Sequence, residues 1–226
     1  MTNETELVNY GIVLYPAFQA LDVFGPLDVL NMVSFSNRLN LHIIAETMDP
    51  VSTKPQVMNN SGSDFGESVV PTHTFTEPPE QLDVLIVPGG VGTRSDEVTA
   101  PVRAYILEAF PNVKYFLSIC TGVGMVAQTG ILDGRRATGN KRSWAWVTAQ
   151  GPNVNWVPHA RWVEDGNVWT SSGVSAGIDL MFAFVAKMYG EDLASELALG
   201  MEYERHVNPD WDPFAEYWNL TGSSEV

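Results

Sequence analysis

The chain alternates between two hydrophobic patterns. Short continuous apolar runs are bounded by turn residues. Between them lie longer stretches whose apolar positions fall three and four apart. "GIVLYP" (Gly11 to Pro16) reads as a buried strand stopped by Pro16. In "LDVFGPLDVLNMV", Leu21, Phe24, Leu27, Val29, Leu30 and Val33 keep helical spacing, and Gly25-Pro26 predicts a late start or a kink. "LNLHIIAE" is a second strand. Residues 46–81 are rich in turn formers, with a short strand in "VVPTHTF".

"LDVLIVPGG" is a strong strand ending at Gly89-Gly90, and "APVRAYILEAF" is a helix with Pro101 near its first turn. "VKYFLSI" is the next strand, followed by the helix "TGVGMVAQTG", closed by Gly130. "RRATG" is strand-like, and Ser143 caps a helix in "SWAWVTAQG". "ARWVEDGNVWTSSG" is a hairpin about Asp165-Gly166-Asn167. Two helices follow, "SAGIDLMFAFVAKMYG" and "EDLASELALGMEYE". "HVNPDWDPFAEYW" then predicts a tail that wraps the surface.

Apolar strands alternating with helices imply a mostly parallel sheet covered on both faces. The expected fold is one doubly wound α/β domain over 1–226, with a small antiparallel hairpin and 207–226 as a C-terminal surface tail. Ligands gather outside the carboxyl ends of such strands. Four segments meet there: Tyr15-Pro16 ahead of Asp22, Gly89-Gly90, Cys120-Thr121, and Ser171 to Ala176.

Charge narrows the partners. The net charge of −15 disfavours nucleic acid and anionic membrane. The first residues, "MTNETELVNY", carry no basic and apolar signal pattern, and no run reaches a membrane span. A lone cysteine makes no internal disulfide, and a reducing cytoplasmic setting suits it. The histidines His42, His73, His159 and His206 are scattered, so no metal is expected. Arg135, Arg136, Lys141 and Arg142 read as a solvated or ion-paired basic face. The tryptophans read as core or interface residues.

Cys120 stands where "FLSI" stops and a helix begins, the arrangement of a nucleophile elbow. A helix N-terminus aimed at the sulfur would lower its pKa. A buried structural cysteine fits the local pattern equally well. Gly89 and Gly90 offer backbone N–H groups to a developing negative charge, or simply a tight turn. Asp22 is either a first-turn helix acid or a carboxyl group that exchanges protons with the thiol. Ser175 caps a helix or lines a pocket.

Taken in register, "LYPAFQALDVFGPLDVL", "DVLIVPGG", "SICTGVGMVAQTGILDGRRAT" and "TSSGVSAGIDLMFAFV" resemble the ThiJ/PfpI superfamily, related to class I glutamine amidotransferase domains. The resemblance implies a flavodoxin-like sandwich, a homodimer and no cofactor. It implies Cys120 as nucleophile, Asp22 as the acid beside it, and Gly90 and Thr121 as donors around the substrate or oxyanion. Peptidase-like and glyoxalase-like members carry a histidine where this chain has Asn140. An acid–cysteine pair without that histidine is most similar to the isocyanide hydratase branch. It implies conversion of small-molecule isocyanides to N-substituted formamides through a Cys120 thioimidate. Glyoxalase or deglycase action on 2-oxoaldehydes, a cysteine redox sensor and a ligand-sensing module are the alternatives.

Overall fold

A computed structural model describes residues 7–55 and 57–220. The first six residues of the N-terminal reading and the last six of the tail lie outside that set. The first half of the chain contributes strands β1 (Asn9–Val13), β2 (Asn40–Ala45), β3 (Val51–Ser52), β4 (Ser68–Val69), β5 (His73–Thr74) and β6 (Val84–Val87), with helices α1 (Ala20–Val33) and α2 (Asp96–Ala109). The second half contributes β7 (Tyr115–Ile119), β8 (Arg136–Ala137), β9 (Asn155–Trp156), β10 (Trp162–Asp165) and β11 (Val168–Ser171). Its helices are α3 (Gly122–Ala127), α4 (Trp144–Ala149), α5 (Ala176–Tyr189), α6 (Glu191–Gly200) and α7 (Pro213–Tyr217).

The central sheet runs β10-β11-β7-β6-β1-β2-β5. It is parallel except for the β10–β11 hairpin, which pairs Trp162 with Ser171 and Asp165 with Val168. β6 is buried along its whole length, as is β7 after Tyr115, which explains their unbroken apolar runs. The chain steps from β1 to β2 in one direction and from β6 to β7 in the other. Right-handed crossovers therefore place α1 and α2 on opposite faces. The reversal between β1 and β6 opens a crevice at the strand ends.

Two helices begin earlier than their sequence patterns suggest. α1 starts at Ala20 and carries Pro26 inside it, while Gly25 lets Ile178 of α5 approach, since a Cβ there would lie 2.7 Å from its side chain. α2 starts at Asp96 because the Ser95 side chain accepts the Val98 N–H, leaving Pro101 in the second turn. The residue 46–81 segment divides its short strands. β4 pairs with β3, whereas β5 extends the main sheet beside β2.

The basic face is only partly solvated. Arg135 pairs with Asp165, and Arg136 and Arg142 are exposed, but Lys141 is buried. Its Nζ donates to the Ala160 carbonyl at 2.9 Å and meets Asp212 Oδ2 at 3.3 Å. The described part of the tail thus sends one carboxylate inside. Asp212 is 1 % exposed and also caps α7 through the Phe214 N–H. Pro209 accepts the Arg161 N–H, while the Arg161 side chain pairs with buried Asp179. Removing one partner of a buried ion pair strands the other, which costs about 3–5 kcal/mol. Asp212→Ala should lose stability on that scale in urea unfolding, and adding Lys141→Met should recover much of it. A loss below about 1 kcal/mol in the single variant would show that the pair holds nothing together.

Candidate active site

β7 delivers Cys120 to the crevice, and its backbone there is strained. Cys120 has φ +61°, the left-handed region that non-glycine residues avoid at a cost of about 1–3 kcal/mol. Neighbours hold it there: the Cys120 N–H donates to Ser171 O at 3.1 Å, and its carbonyl accepts the Asn140 N–H at 3.3 Å. α3 starts two residues later, so the thiol stands at a strand-to-helix corner.

Three donors reach the sulfur. Asn140 Nδ2 lies 3.1 Å from Sγ, and the backbone N–H groups of Val174 and Thr121 point to it. The Ser143 N–H donates to Asn140 Oδ1 at 2.9 Å, which turns the amide NH2 toward the thiol. Gly173 leaves room for that amide, because a Cβ there would sit 2.5 Å from Nδ2.

Asp22 approaches from α1. It is fully buried, Oδ2 accepts the Gly89 N–H at 2.9 Å, and the Cys120 thiol lies near enough to favour its charged form. Its other oxygen, Oδ1, is shielded from water and has no hydrogen-bond partner. Asp22 does lie in the first turn of α1, but its carboxylate serves a neighbouring strand end rather than its own helix. Tyr15 lies beside the pair, its hydroxyl donating to Pro88 O at 2.6 Å.

The thiol differs from the sequence expectation. Burial, then the Asp22 charge, push Cys120 up to about 12, against the pull of the Val174, Asn140 and Thr121 donors. α3 has only six residues, and its dipole does not outweigh that desolvation. Burial likewise raises Asp22 to about 7, while the Gly89 N–H and the thiol pull it down. At neutral pH the sulfur keeps its proton beside a carboxyl group poised to accept or release one.

The two glycines also differ from expectation. The Gly89 N–H is taken by Asp22, and the Gly90 N–H by the Thr121 hydroxyl at 2.9 Å. Neither amide is free to meet an oxyanion; both position the groups around the thiol. A side chain at Gly89 would collide with the Thr121 backbone and the Asp22 carboxylate, at 2.6 and 2.8 Å. Ser175 is exposed ahead of α5 and makes no hydrogen bond to Cys120; the neighbouring Val174, with φ +39°, supplies the donor. A backbone donor leaves no mark in the side-chain pattern, so Val174 was not legible there.

None of the four histidines hydrogen-bonds the thiol or its carboxyl partner. His42 stacks edge-on against His73, and His206 lies on Trp211. Among the described residues, no three His, Cys, Asp or Glu side chains converge as a metal would require. No described helix is long and apolar enough to cross a membrane.

Similarity to known proteins agrees with this geometry. The DJ-1/PfpI family matches residues 11–187. Isonitrile hydratase of Pseudomonas putida is 33% identical over 197 residues, 85% of this chain and 77% of that protein. The crystal structure of a ThiJ/PfpI family protein from Pseudomonas syringae superposes with a TM-score of 0.69 at 26% identity, covering 92% of this chain and 78% of that one. Drosophila melanogaster DJ-1beta shares the fold, with a TM-score of 0.70 at 16% identity over 88% of this chain and 100% of that one. A strained cysteine at the end of a parallel strand, in a fold and sequence matched this widely, places the chain in the DJ-1/PfpI family.

Proposed function

We propose that the chain hydrates isocyanides to N-substituted formamides. The observation that carries this reading is the company kept by Cys120: a carboxyl titrating near neutrality on one side and the Asn140 amide, in place of a basic histidine, on the other. Similarity to an isonitrile hydratase supports it.

An isocyanide suits a thiol that keeps its proton. Its terminal carbon bears a lone pair and accepts both a proton and a nucleophile. The Cys120 proton passes through Asp22 to that carbon while sulfur bonds to it, giving Cys–S–CH=N–R. The Val174 and Thr121 N–H groups and the Asn140 amide hold the sulfur as its charge develops.

Asp22, again ionised, takes a proton from water as the oxygen adds to the same carbon, and returns it to nitrogen. The tetrahedral adduct, R–NH–CH(OH)–S–Cys, expels sulfur. The hydroxyl proton goes back to the thiol, and R–NH–CHO leaves. One isocyanide and one water give one formamide. A carboxyl group titrating near neutrality matches this two-way exchange.

A redox-sensing role is disfavoured by the same chemistry, since oxidation follows thiolate character and here burial suppresses it. Cyclohexyl isocyanide, p-nitrophenyl isocyanide and methylglyoxal offered separately should separate the readings. Formamide from the isocyanides, followed by NMR, is expected at a kcat/KM at least tenfold above any methylglyoxal consumption. Turnover of methylglyoxal without turnover of either isocyanide would overturn the proposal.

A further inference from the structure

Every lysine and arginine of the described residues either pairs with a carboxylate or stands exposed, except Arg94. Arg94 closes the 3-10 turn Val91–Arg94 that follows Gly90. Its guanidinium lies over the Trp146 ring, 3.5 Å from the centroid, and Nη1 is shielded from water with no hydrogen-bond partner.

Trp146 is itself fixed. It comes from α4, just beyond Asn140, and leans on α3 so closely that a Cβ at Gly124 would lie 2.6 Å from its ring. Arg94 therefore spans from the turn after β6 to a ring packed on α3, the helix that follows Cys120, near enough for a thiolate at Cys120 to act on it.

This placement is unusual in a chain with 27 acidic and 12 basic side chains. A half-buried guanidinium would ordinarily find a carboxylate among so many. Trp146 covers one face of the group, so recognition is left to its edge, where N–H donors fit the two oxygens of a carboxylate in one plane. A ligand acceptor would satisfy the orphaned donor.

We infer that Arg94 binds an anionic substituent of the substrate, so that the site takes isocyanides carrying a carboxylate near the isocyano group. This deepens the hydration reading and rests on it. The acid group anchors at Arg94 while the isocyano carbon lies at Cys120. The role is substrate selection and leaves the bond-making steps as they stand.

The test compares matched pairs: isocyanoacetate and 3-isocyanopropanoate, each against its methyl ester. In the wild-type protein, at least one carboxylate should exceed its ester in kcat/KM by at least tenfold, mainly through a lower KM. Arg94→Gln should collapse that ratio at least tenfold, and Arg94→Lys should keep part of it. Because a ratio cancels the fraction of folded enzyme, poor folding of a variant does not blur the result. An unchanged ratio in Arg94→Gln, or a wild-type preference for both esters, overturns the inference while leaving hydration intact.

Calorimetry with N-formylglycine, the product of isocyanoacetate hydration, separates the two failures. If no isocyanide is hydrated but N-formylglycine binds wild type at least tenfold more tightly than Arg94→Gln, the anion site stands and the hydration reading falls. Equal binding to both, with no carboxylate preference, removes the site.

Discussion

Cys120→Ala should lower isocyanide hydration by at least about a thousandfold while the protein stays folded, because no other described side chain can form the sulfur–carbon bond. The substitution deletes one buried sulfur from a site that remains enclosed. Alanine meets the same left-handed strain at φ +61°, so no backbone relief offsets the change. Asn140 Nδ2 and the Val174 and Thr121 N–H groups lose their acceptor. Asp22 loses the neighbouring thiol that favours its charged form. These losses amount to about 1–3 kcal/mol, small enough for the fold to survive. Formamide production followed by NMR, alongside circular dichroism and a thermal melt, reads both halves. Residual activity within tenfold of wild type would sink the covalent route, whatever the melt shows.

Asp22→Asn should act in two directions at once. Activity should fall about 10²- to 10⁴-fold, because the amide cannot carry the proton between thiol, carbon and water. Stability at neutral pH should rise by a few kcal/mol. The sign follows from burial. Asp22 is raised from 3.8 to about 7 in the folded protein, so between roughly pH 4 and 7 the folded state holds a proton that the unfolded chain has released. Unfolding then releases protons, and the contribution of Asp22 to stability falls as pH rises across that window. It is level above about pH 7 and vanishes below about pH 4.

Asparagine removes this dependence while its side-chain oxygen still accepts the Gly89 N–H. The melting temperatures of the two proteins should therefore coincide near pH 4 and diverge up to pH 7, with the variant higher. Parallel curves across that range would mean the carboxyl is not raised. Full activity in the variant would reduce Asp22 to a strut for the Gly89 turn.

The scaffold was readable because its cause is local. Unbroken apolar runs such as "DVLIVP" report burial on both sheet faces, and Asp165-Gly166-Asn167 reports a hairpin, so strand order and crevice follow. Cys120 and Asp22 were readable because each occupies a strand-to-helix junction. What escaped depends on atoms that only the folded chain brings near. Gly89 and Gly90 stood out as donors, but whether those donors are free depends on Asp22 and Thr121, each far away in sequence. The sulfur sits at a helix start, a pattern that suggests a lowered pKa, yet burial reverses the direction. Lys141 sits in a run of basic residues that reads as surface, and only the arrival of Asp212 shows it to be interior. Asn140 was singled out for the histidine it replaces; its amide proved to touch the sulfur directly.

The tie between Lys141 and Asp212 also sets an order of events during synthesis. The strands, Cys120 and the Asn140 loop all leave the ribosome before residue 212, and at about 5–20 residues per second that is an interval of several seconds. Through it the sheet can form while Lys141, which the finished fold buries, has no carboxylate to meet. The residue after Asn140 is thus free to stay in water until the later segment docks, while the amide beside the thiol is already held by the Ser143 N–H and the Cys120 carbonyl. The nascent protein holds its sulfur in place before it has finished the wall around it.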